Sequence, residues 1–502
     1  LKHSLELVAA FWGVLYLGAV PSILPYLTEK MDPASYAERI RLLIGHSGAK
    51  AVMTFASFQE QLQSALKGVD CEFLSLEDVS LKQDLAPEWL IYPSSPEQTA
   101  VLLFSSGTTG IQKGVAISHR SFLEHHQSLA EAIGLHPDDV IVSWLPLYHD
   151  LGLIGSLLLP VIAGVSSVIM SSFYWVRNPA VLLKVIHRYR ATVCWMPNFG
   201  FNHTARSVRQ RDLEDLDLSS IRFLMNSAEP VRYDSIERFL EVFEQFGFNR
   251  EAIGTGYGMV ENGGVTISPP GKMVDIAWVD LKDLQEHNLA TKAAPDEAGA
   301  TPIVSCGVPM CGVEVKIVDE EGAELPERHV GEVAVRSGFL FKEYHNRPEL
   351  TQEVMRAGWF LSGDLGFMAD GQLFITGRKK DLIITAGKSI YPEDVEEIAN
   401  NVAGVYPGRA AAFGLEDPSL GSERIALVYE MRGEPQEEQR LEVERALRRR
   451  VLEELDVTLS EVRLVERGWI VKSPSGKIAR SDNREKYLHL RGQLAGYAPE
   501  DE

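Results

Sequence analysis

Val101-Leu-Leu-Phe-Ser-Ser-Gly-Thr-Thr-Gly-Ile-Gln-Lys-Gly-Val-Ala-Ile117 decides how this chain is read. Two apolar, strand-like runs, Val101–Phe104 and Val115–Ile117, flank a loop of Ser105, Ser106, Gly107, Thr108, Thr109 and Gly110 that ends in Lys113-Gly114. Glycines let the backbone turn tightly and present N–H groups to phosphate oxygens. The hydroxyls add donors and Lys113 adds a positive charge, so the loop suits a triphosphate. It is not a Walker A loop, because no Gly-Lys-Ser/Thr stands at the required distance from an upstream glycine. Gly254-Thr-Gly-Tyr-Gly258 has the wrong period for a dinucleotide fingerprint.

Working outward, Ser121 with Glu124 reads as a capping box opening a helix that carries Leu129 and Ile133. Ala191–Trp195 and Ile221–Met225 read as buried strands, each preceded by helical text. Such alternation predicts an α/β fold with layered sheets. From about Gly312 the texture changes to short strands and tight turns: Val313–Val318, a turn at Asp319–Gly322, then Gly331–Val335. Further on, Val443, Leu447, Val451 and Leu455 recur every four residues and predict a helix near Glu437–Leu455, with Arg448–Arg450 on its solvated face.

The chain has 502 residues and a formal charge of -21. That length exceeds the roughly 250–300 residues at which single cores stop growing, so two or three domains are expected. The negative charge argues against nucleic-acid binding, which relies on cationic phosphate contacts. Cys71, Cys194, Cys306 and Cys311 are too few for a disulfide scaffold, and Cys306 and Cys311 lack the partners of a zinc site. A reducing, cytoplasmic setting is expected. Leu151–Met170 carries no charge, but Gly152, Gly155, Pro160 and Gly164 make it a buried helix, a turn and a strand rather than a membrane span. No signal peptide is legible, and the chain, which starts inside helical text at Leu5–Leu15, is expected to lack part of its native N-terminus. A serine hydrolase is disfavoured because no G-x-S-x-G elbow occurs.

Further motifs follow the loop in one order: Trp144-Leu-Pro-Leu-Tyr-His-Asp150, Gly256-Tyr-Gly-Met-Val-Glu261, Trp359-Phe-Leu-Ser-Gly-Asp364, Gly377-Arg-Lys-Lys-Asp381 and Pro474-Ser-Gly-Lys-Ile478. With Asn226-Ser-Ala-Glu-Pro230, this set closely resembles the adenylate-forming enzymes, and among them the fatty acyl-AMP ligases. The resemblance implies a large N-terminal α/β domain over residues 1–379, built of two layered αβ sheets and a β-rich subdomain at about 312–376. A small mobile α+β lid over 380–502 would follow, pivoting at Lys380.

It also implies roles. ATP and Mg²⁺ are the expected cofactors, with Glu261 as the metal ligand, a hard oxygen donor. Lys477 bridges carboxylate and α-phosphate, Lys113 serves the phosphates and His149 gates the acyl pocket. Tyr257, within Gly256, Gly258 and Met259, lies on adenine beside Ala228, Glu229 and Pro230. Asp364 and Arg378 bind ribose.

Val279–Leu284, a polar stretch and Val304–Gly307 resemble the extra segment of fatty acyl-AMP ligases, which restrains the domain rotation needed for CoA thioesterification. The acceptor implied is then the phosphopantetheine thiol of an acyl carrier protein. A true acyl-CoA synthetase and a non-catalytic nucleotide-binding scaffold stay open at this point. Leu151, Leu153, Ile154, Leu157 and Leu158 line an acyl tunnel or simply form core, and a medium or long fatty acid is favoured. Val260, Gln112 and Asn262-Gly-Gly264 depart from the usual pattern.

Overall fold

The computed structural model describes residues 3–27, 33–78, 91–104, 112–209, 212–417, 422–433, 435–473 and 476–495. The phosphate loop from Ser105 to Ile111 therefore lies outside the described residues, as do Pro474 and Ser475.

The α/β fold is present. Seven strands form the main sheet in the order Val308–Pro309, Gly263–Ile267, Ile253–Met259, Phe223–Asn226, Val193–Met196, Val140–Ser143 and Ser166–Ile169. The last five are mutually parallel. Val193–Met196 and Phe223–Asn226 are buried at every position, as central parallel strands covered on both faces require. Helices Ala180–Tyr189, Asn198–Ser207 and Tyr233–Phe243 supply the cover through Leu183, Phe201 and Phe239. Trp144 and Trp175 stack with centroids 3.6 Å apart in this core.

The expected cap at Ser121 is displaced. The helix is His119–Ala132, and Ser118 caps it by accepting the Ser121 N–H at 3.1 Å. Ser118 ends the preceding strand in extended geometry, and the Ser121 hydroxyl is itself engaged with Leu340 O at 3.3 Å.

The uncharged stretch forms helical turns over residues 150–163, then the strand Ser166–Ile169. Its middle, Leu153–Leu158, widens into a π turn, a geometry that is rare and often marks functional sites. Gly155 O accepts the Trp195 indole N–H at 3.0 Å there. A Cβ on Gly152 would meet Pro146 O at 2.3 Å, so only glycine fits. Among the described residues no helix is long and apolar enough to cross a membrane.

Thr99–Phe104 and Gly114–Ser118 pair antiparallel, with Phe104 opposite Gly114, so the strands on either side of the phosphate loop lie side by side. Val313–Val318 and Gly331–Ser337 form the expected hairpin within an antiparallel sheet that includes Trp359–Ala369 and Gln372–Arg378. Beyond it, Val405–Asp417, Ser422–Met431 and Leu459–Leu464 form a separate sheet. The helix Glu437–Leu455 packs on that sheet through Val443, Leu447, Val451 and Leu455. Arg448 and Arg450 are not simply solvated: they donate to Leu459 O and Asn401 O.

Candidate active site

Parallel strands direct all their carboxyl ends to one edge, where α/β sheets bind ligands. Three connections leave that edge here. Val140–Ser143 leads to His149, Phe223–Asn226 to Ala228-Glu229-Pro230, and Ile253–Met259 to Glu261.

His149 begins the helical stretch after Val140–Ser143, and its Nδ1 lies 2.6 Å from Asp150 Oδ1. Burial pushes the Asp150 carboxyl up, but His149 and then Lys477 outweigh it and hold the group well below the carboxylate range.

The turn after Phe223–Asn226 is held from beneath by Asn198. Its Oδ1 accepts from Asn226 Nδ2 and from Arg232 N, each at 3.1 Å. Ala228 adopts a left-handed φ of 72°, a strain of the kind concentrated at functional turns. Glu229 accepts the Phe199 N–H. Burial raises the Glu229 carboxyl, opposed by that bond and by Lys477 and Lys472.

Ile253–Met259 and Gly263–Ile267 approach so closely that a Cβ on Gly258 would meet Gly263 O at 2.6 Å. The atypical Asn262-Gly-Gly264 has a steric cause. Gly263 has φ 77°, and a Cβ there would lie 2.4 Å from His125 Nε2, which itself accepts the Gly264 N–H at 2.8 Å. Burial, with His126 beside it, takes His125 down to about 3, so it stays a neutral acceptor. Asn262 closes the turn by donating to Gly264 O at 2.7 Å. Val260 packs in the apolar cluster with Phe341 and Phe360.

Glu261, at the end of this hairpin, accepts the Tyr344 hydroxyl at 2.7 Å. Lys113 Nζ lies 4.4 Å over the Tyr344 ring. Burial raises the Glu261 carboxyl, while Tyr344 and Lys113 draw it down.

Tyr257 and Asp364 come from different sheets and meet: the phenol donates to Asp364 Oδ2 at 2.7 Å. Arg378, directly opposite Asp364 in the strand pair, lies with Nε 3.1 Å from Asp364 Oδ1. A carboxylate has about four acceptor positions, so Asp364 keeps capacity for a ligand hydroxyl on each oxygen. Burial first, and Asp364 next, push the Tyr257 phenol well above its usual range.

Lys477 lies in the loop between the strand Leu459–Leu464 and the helix Arg480–Ala495. Its loop is fixed by Ser473 N donating to Lys477 O at 2.8 Å and by Gly476 at φ 90°. Burial lowers the Lys477 ammonium, as does Arg378, whereas Asp150, Glu229 and Asp364 favour its charge. Lys477 is thus under the electrostatic influence of Asp150, Glu229, Asp364 and Arg378, which come from separate elements. Lys380 lies exposed in the turn after Arg378, where Asp381 N and Leu382 N both donate to Arg378 O at 3.1 Å.

Leu153, Leu157 and Leu158 are buried among Val101, Phe341 and Phe360. An apolar cavity of about 250 Å³ opens beside them, lined by Phe11, Trp12, Tyr92, Phe122 and Ile162 among others. No residue named above for nucleotide binding lines it.

Tyr344, His125 and Asn198 went unread because each acts on a motif 80 to 140 positions or so away, or across a strand connection, with no local signature. Asp150 stood in plain sight beside His149.

Carboxylates, cations and an aromatic ring after the sheet strands, with a buried lysine in the loop before the last helix, are the groups of an adenylate-forming class of enzyme. The AMP-binding enzyme family matches residues 1–345, and the chain belongs to it. It is 32% identical to the medium-chain-fatty-acid–[acyl-carrier-protein] ligase JamA of Moorena producens (strain JHB), over 97% of this chain and 84% of that protein. A solved structure from work on fatty acyl-adenylate ligases of E. coli and L. pneumophila superposes with TM-score 0.90 at 29% identity, covering 98% of this chain and 88% of the other. The L. pneumophila fatty acyl-adenylate ligase in complex with acyl adenylate and pyrophosphate gives TM-score 0.72 at 28% identity, covering 97% and 85%. Within the family, the likeness is to fatty acyl-AMP ligases.

Proposed function

We propose that this protein activates a medium or long fatty acid with ATP, in the cytoplasm, and hands the acyl group to the phosphopantetheine thiol of an acyl carrier protein. In the first step a carboxylate oxygen attacks the α-phosphorus, the bond to the β-phosphate bridging oxygen breaks, and pyrophosphate leaves. In the second, the thiol attacks the acyl carbonyl, AMP leaves with the bonding pair, and the thiol proton passes to solvent. Catalysis of the first step is mainly positioning and charge neutralisation.

The observation that supports this reading is that Asp150, Glu229 and Asp364 favour the charge of the buried Lys477 ammonium, against burial and Arg378. Its ammonium serves there as the cation between carboxylate and α-phosphate. Asp364 and Arg378 hold the ribose, and Tyr257 packs on adenine with Gly256, Gly258 and Met259 beneath and Ala228, Glu229 and Pro230 alongside. Ser105 to Gly110 with Lys113 take the outer phosphates. Mg²⁺ binds through one or two carboxylates plus substrate phosphates, and the Glu261 carboxylate, with an oxygen not taken by Tyr344, suits it; bound there it offsets phosphate charge. His149, oriented by Asp150, stands at the entrance for the acid.

Residues 1–379, with a β-rich part at 312–376, form the body, and 380–502 the lid turning at Lys380. For the acceptor, the segment expected to be extra bears on the lid. Strands Ile276–Asp280 and Ala300–Val304 bracket the helix Leu281–His287, where Leu281 packs against the C-terminal core. Gln285 Nε2 donates to Leu455 O at 3.3 Å, and Glu286 lies 3.9 Å from Lys388. Contacts on both sides of the hinge oppose a large lid rotation, which favours a carrier over free coenzyme A.

The test is incubation with ATP, Mg²⁺ and fatty acids of graded length, following acid-dependent pyrophosphate release and the mass of an added holo-carrier. Release with acyl-carrier formation is expected. Efficient acyl-CoA formation instead would make it a CoA synthetase, and binding of ATP without release would make it a scaffold.

A further inference from the structure

The chain carries 70 acidic against 49 basic residues, yet two arginines from different elements meet at one asparagine. That residue is Asn401. Arg206, on the helix Asn198–Ser207, donates to Asn401 Oδ1 at 3.4 Å, and Arg450, on the helix Glu437–Leu455, donates to Asn401 O at 3.0 Å. Arg238 donates to Asn202, one helical turn before Arg206. Arg432 lies over the Tyr406 ring with Cζ 5.4 Å from its centroid. Burial lowers the Arg206 guanidinium, and the next causes are Arg238 and, more weakly, Arg432, with Glu397 opposing. Two carboxylates answer these cations: Glu397, bonded to Asn401 Nδ2 at 3.1 Å, and Glu454, 2.6 Å from Arg450.

Two of the arginines precede Arg378 in sequence and two follow it, so the positive charge straddles the seam between body and lid. Gathering like charges across a seam is unfavourable unless a counter-charge is laid over it. An exposed patch of one sign also accelerates encounter with a partner of the other, in a salt-dependent way.

We propose that Arg206, Arg238, Arg432 and Arg450 form the docking surface for an acidic face of the carrier protein. The proposal rests on the carrier reading above. Docking here lays acidic side chains across body and lid at once, so the partner itself favours the arrangement in which the two are apposed.

Arg238 and Arg432 are the residues to change, because neither bonds across the seam. The experiment compares the wild-type protein with Arg238→Glu/Arg432→Glu and with the milder Arg238→Gln/Arg432→Gln. Three readouts are taken at low and high salt: acid-dependent ATP–pyrophosphate exchange, transfer to an acidic holo-acyl carrier protein, and transfer to free pantetheine. The expected result for the double reversal is about a tenfold loss in kcat/KM for the carrier, through KM, and a flattened salt dependence. Exchange and pantetheine transfer stay unchanged, and the glutamine variant falls between. Carrier loading by the reversal variant equal to wild type at low salt would overturn the surface alone. Wild-type exchange with no carrier loading would overturn the carrier reading and this surface with it, and absence of exchange would overturn the activation chemistry itself.

Discussion

The Tyr344 hydroxyl donates to Glu261 Oε1 at 2.7 Å, joining the edge of the nucleotide hairpin to a strand that pairs beside the phosphate loop. Burial pushes the Glu261 carboxyl up, and the phenol is the largest influence holding it down. Removing that donor in Tyr344→Phe raises the carboxyl further, so ionised Glu261 is lost at a higher pH. The acidic limb of the pH profile for kcat/KM with MgATP is expected to move to higher pH, with a several-fold loss below it and little loss above. A limb that stays in place would separate Tyr344 from Glu261 ionisation.

Arg232 Nη1 and Asp394 Oδ1, 2.7 Å apart, connect the turn after Pro230 to the helix Pro392–Asn400. Both side chains are largely withdrawn from solvent, so the pair escapes most of the screening that makes surface bridges weak. Arg232→Ala and Asp394→Ala are each expected to slow pyrophosphate exchange about fivefold, and the double variant to be no slower than either. That pattern corresponds to a coupling of about 1 kcal/mol. Additive losses in the cycle would show that the two act independently.

Arg480 gathers three carboxylates: Asp381 in the turn after Arg378 at 3.0 Å, Glu393 at 2.6 Å and Glu396 at 2.7 Å. It lies three positions after Lys477 and opens the helix Arg480–Ala495, so it ties the lysine loop to that turn. Arg480→Met leaves these carboxylates without their cation, a loss of about 3–5 kcal/mol for breaking a buried pair. Burial raises the Glu393 carboxyl and Arg480 opposes that rise, so without the guanidinium it goes higher still, and the deficit is full near neutrality and shrinks as acid protonates it. Thermal unfolding across pH checks this, and a deficit that does not change with pH would contradict it.

The candidate site could be read from sequence as short local motifs with distinct chemistry, such as Trp359–Asp364 and Gly256–Glu261, whose Asp364 and Tyr257 meet in the fold. The helix Glu437–Leu455 was legible from its four-residue apolar repeat. The true cap at Ser118 was missed because that residue both ends a strand and begins a helix, and Ser121 with Glu124 mimics the same signal three residues on. Positioning groups were not readable at all. His125 dictates Gly263 and Gly264 from a helix, Asn198 ties two chain turns together, and Arg480 collects carboxylates from the turn after Arg378 and a second helix. Those relationships exist only after the sheets assemble. The phosphate loop, clearest in sequence, falls outside the described residues.

Lys477 carries the central claim, and Lys477→Ala measured by acid-dependent ATP–pyrophosphate exchange tests it most directly. The loss of one transition-state donor predicts a fall of about 10²–10³-fold, with a thermal midpoint close to that of the unaltered protein because the loop backbone keeps its own bonds. Exchange at the unaltered rate would mean that the lysine, although Asp150, Glu229 and Asp364 favour its charge, takes no part in forming the adenylate.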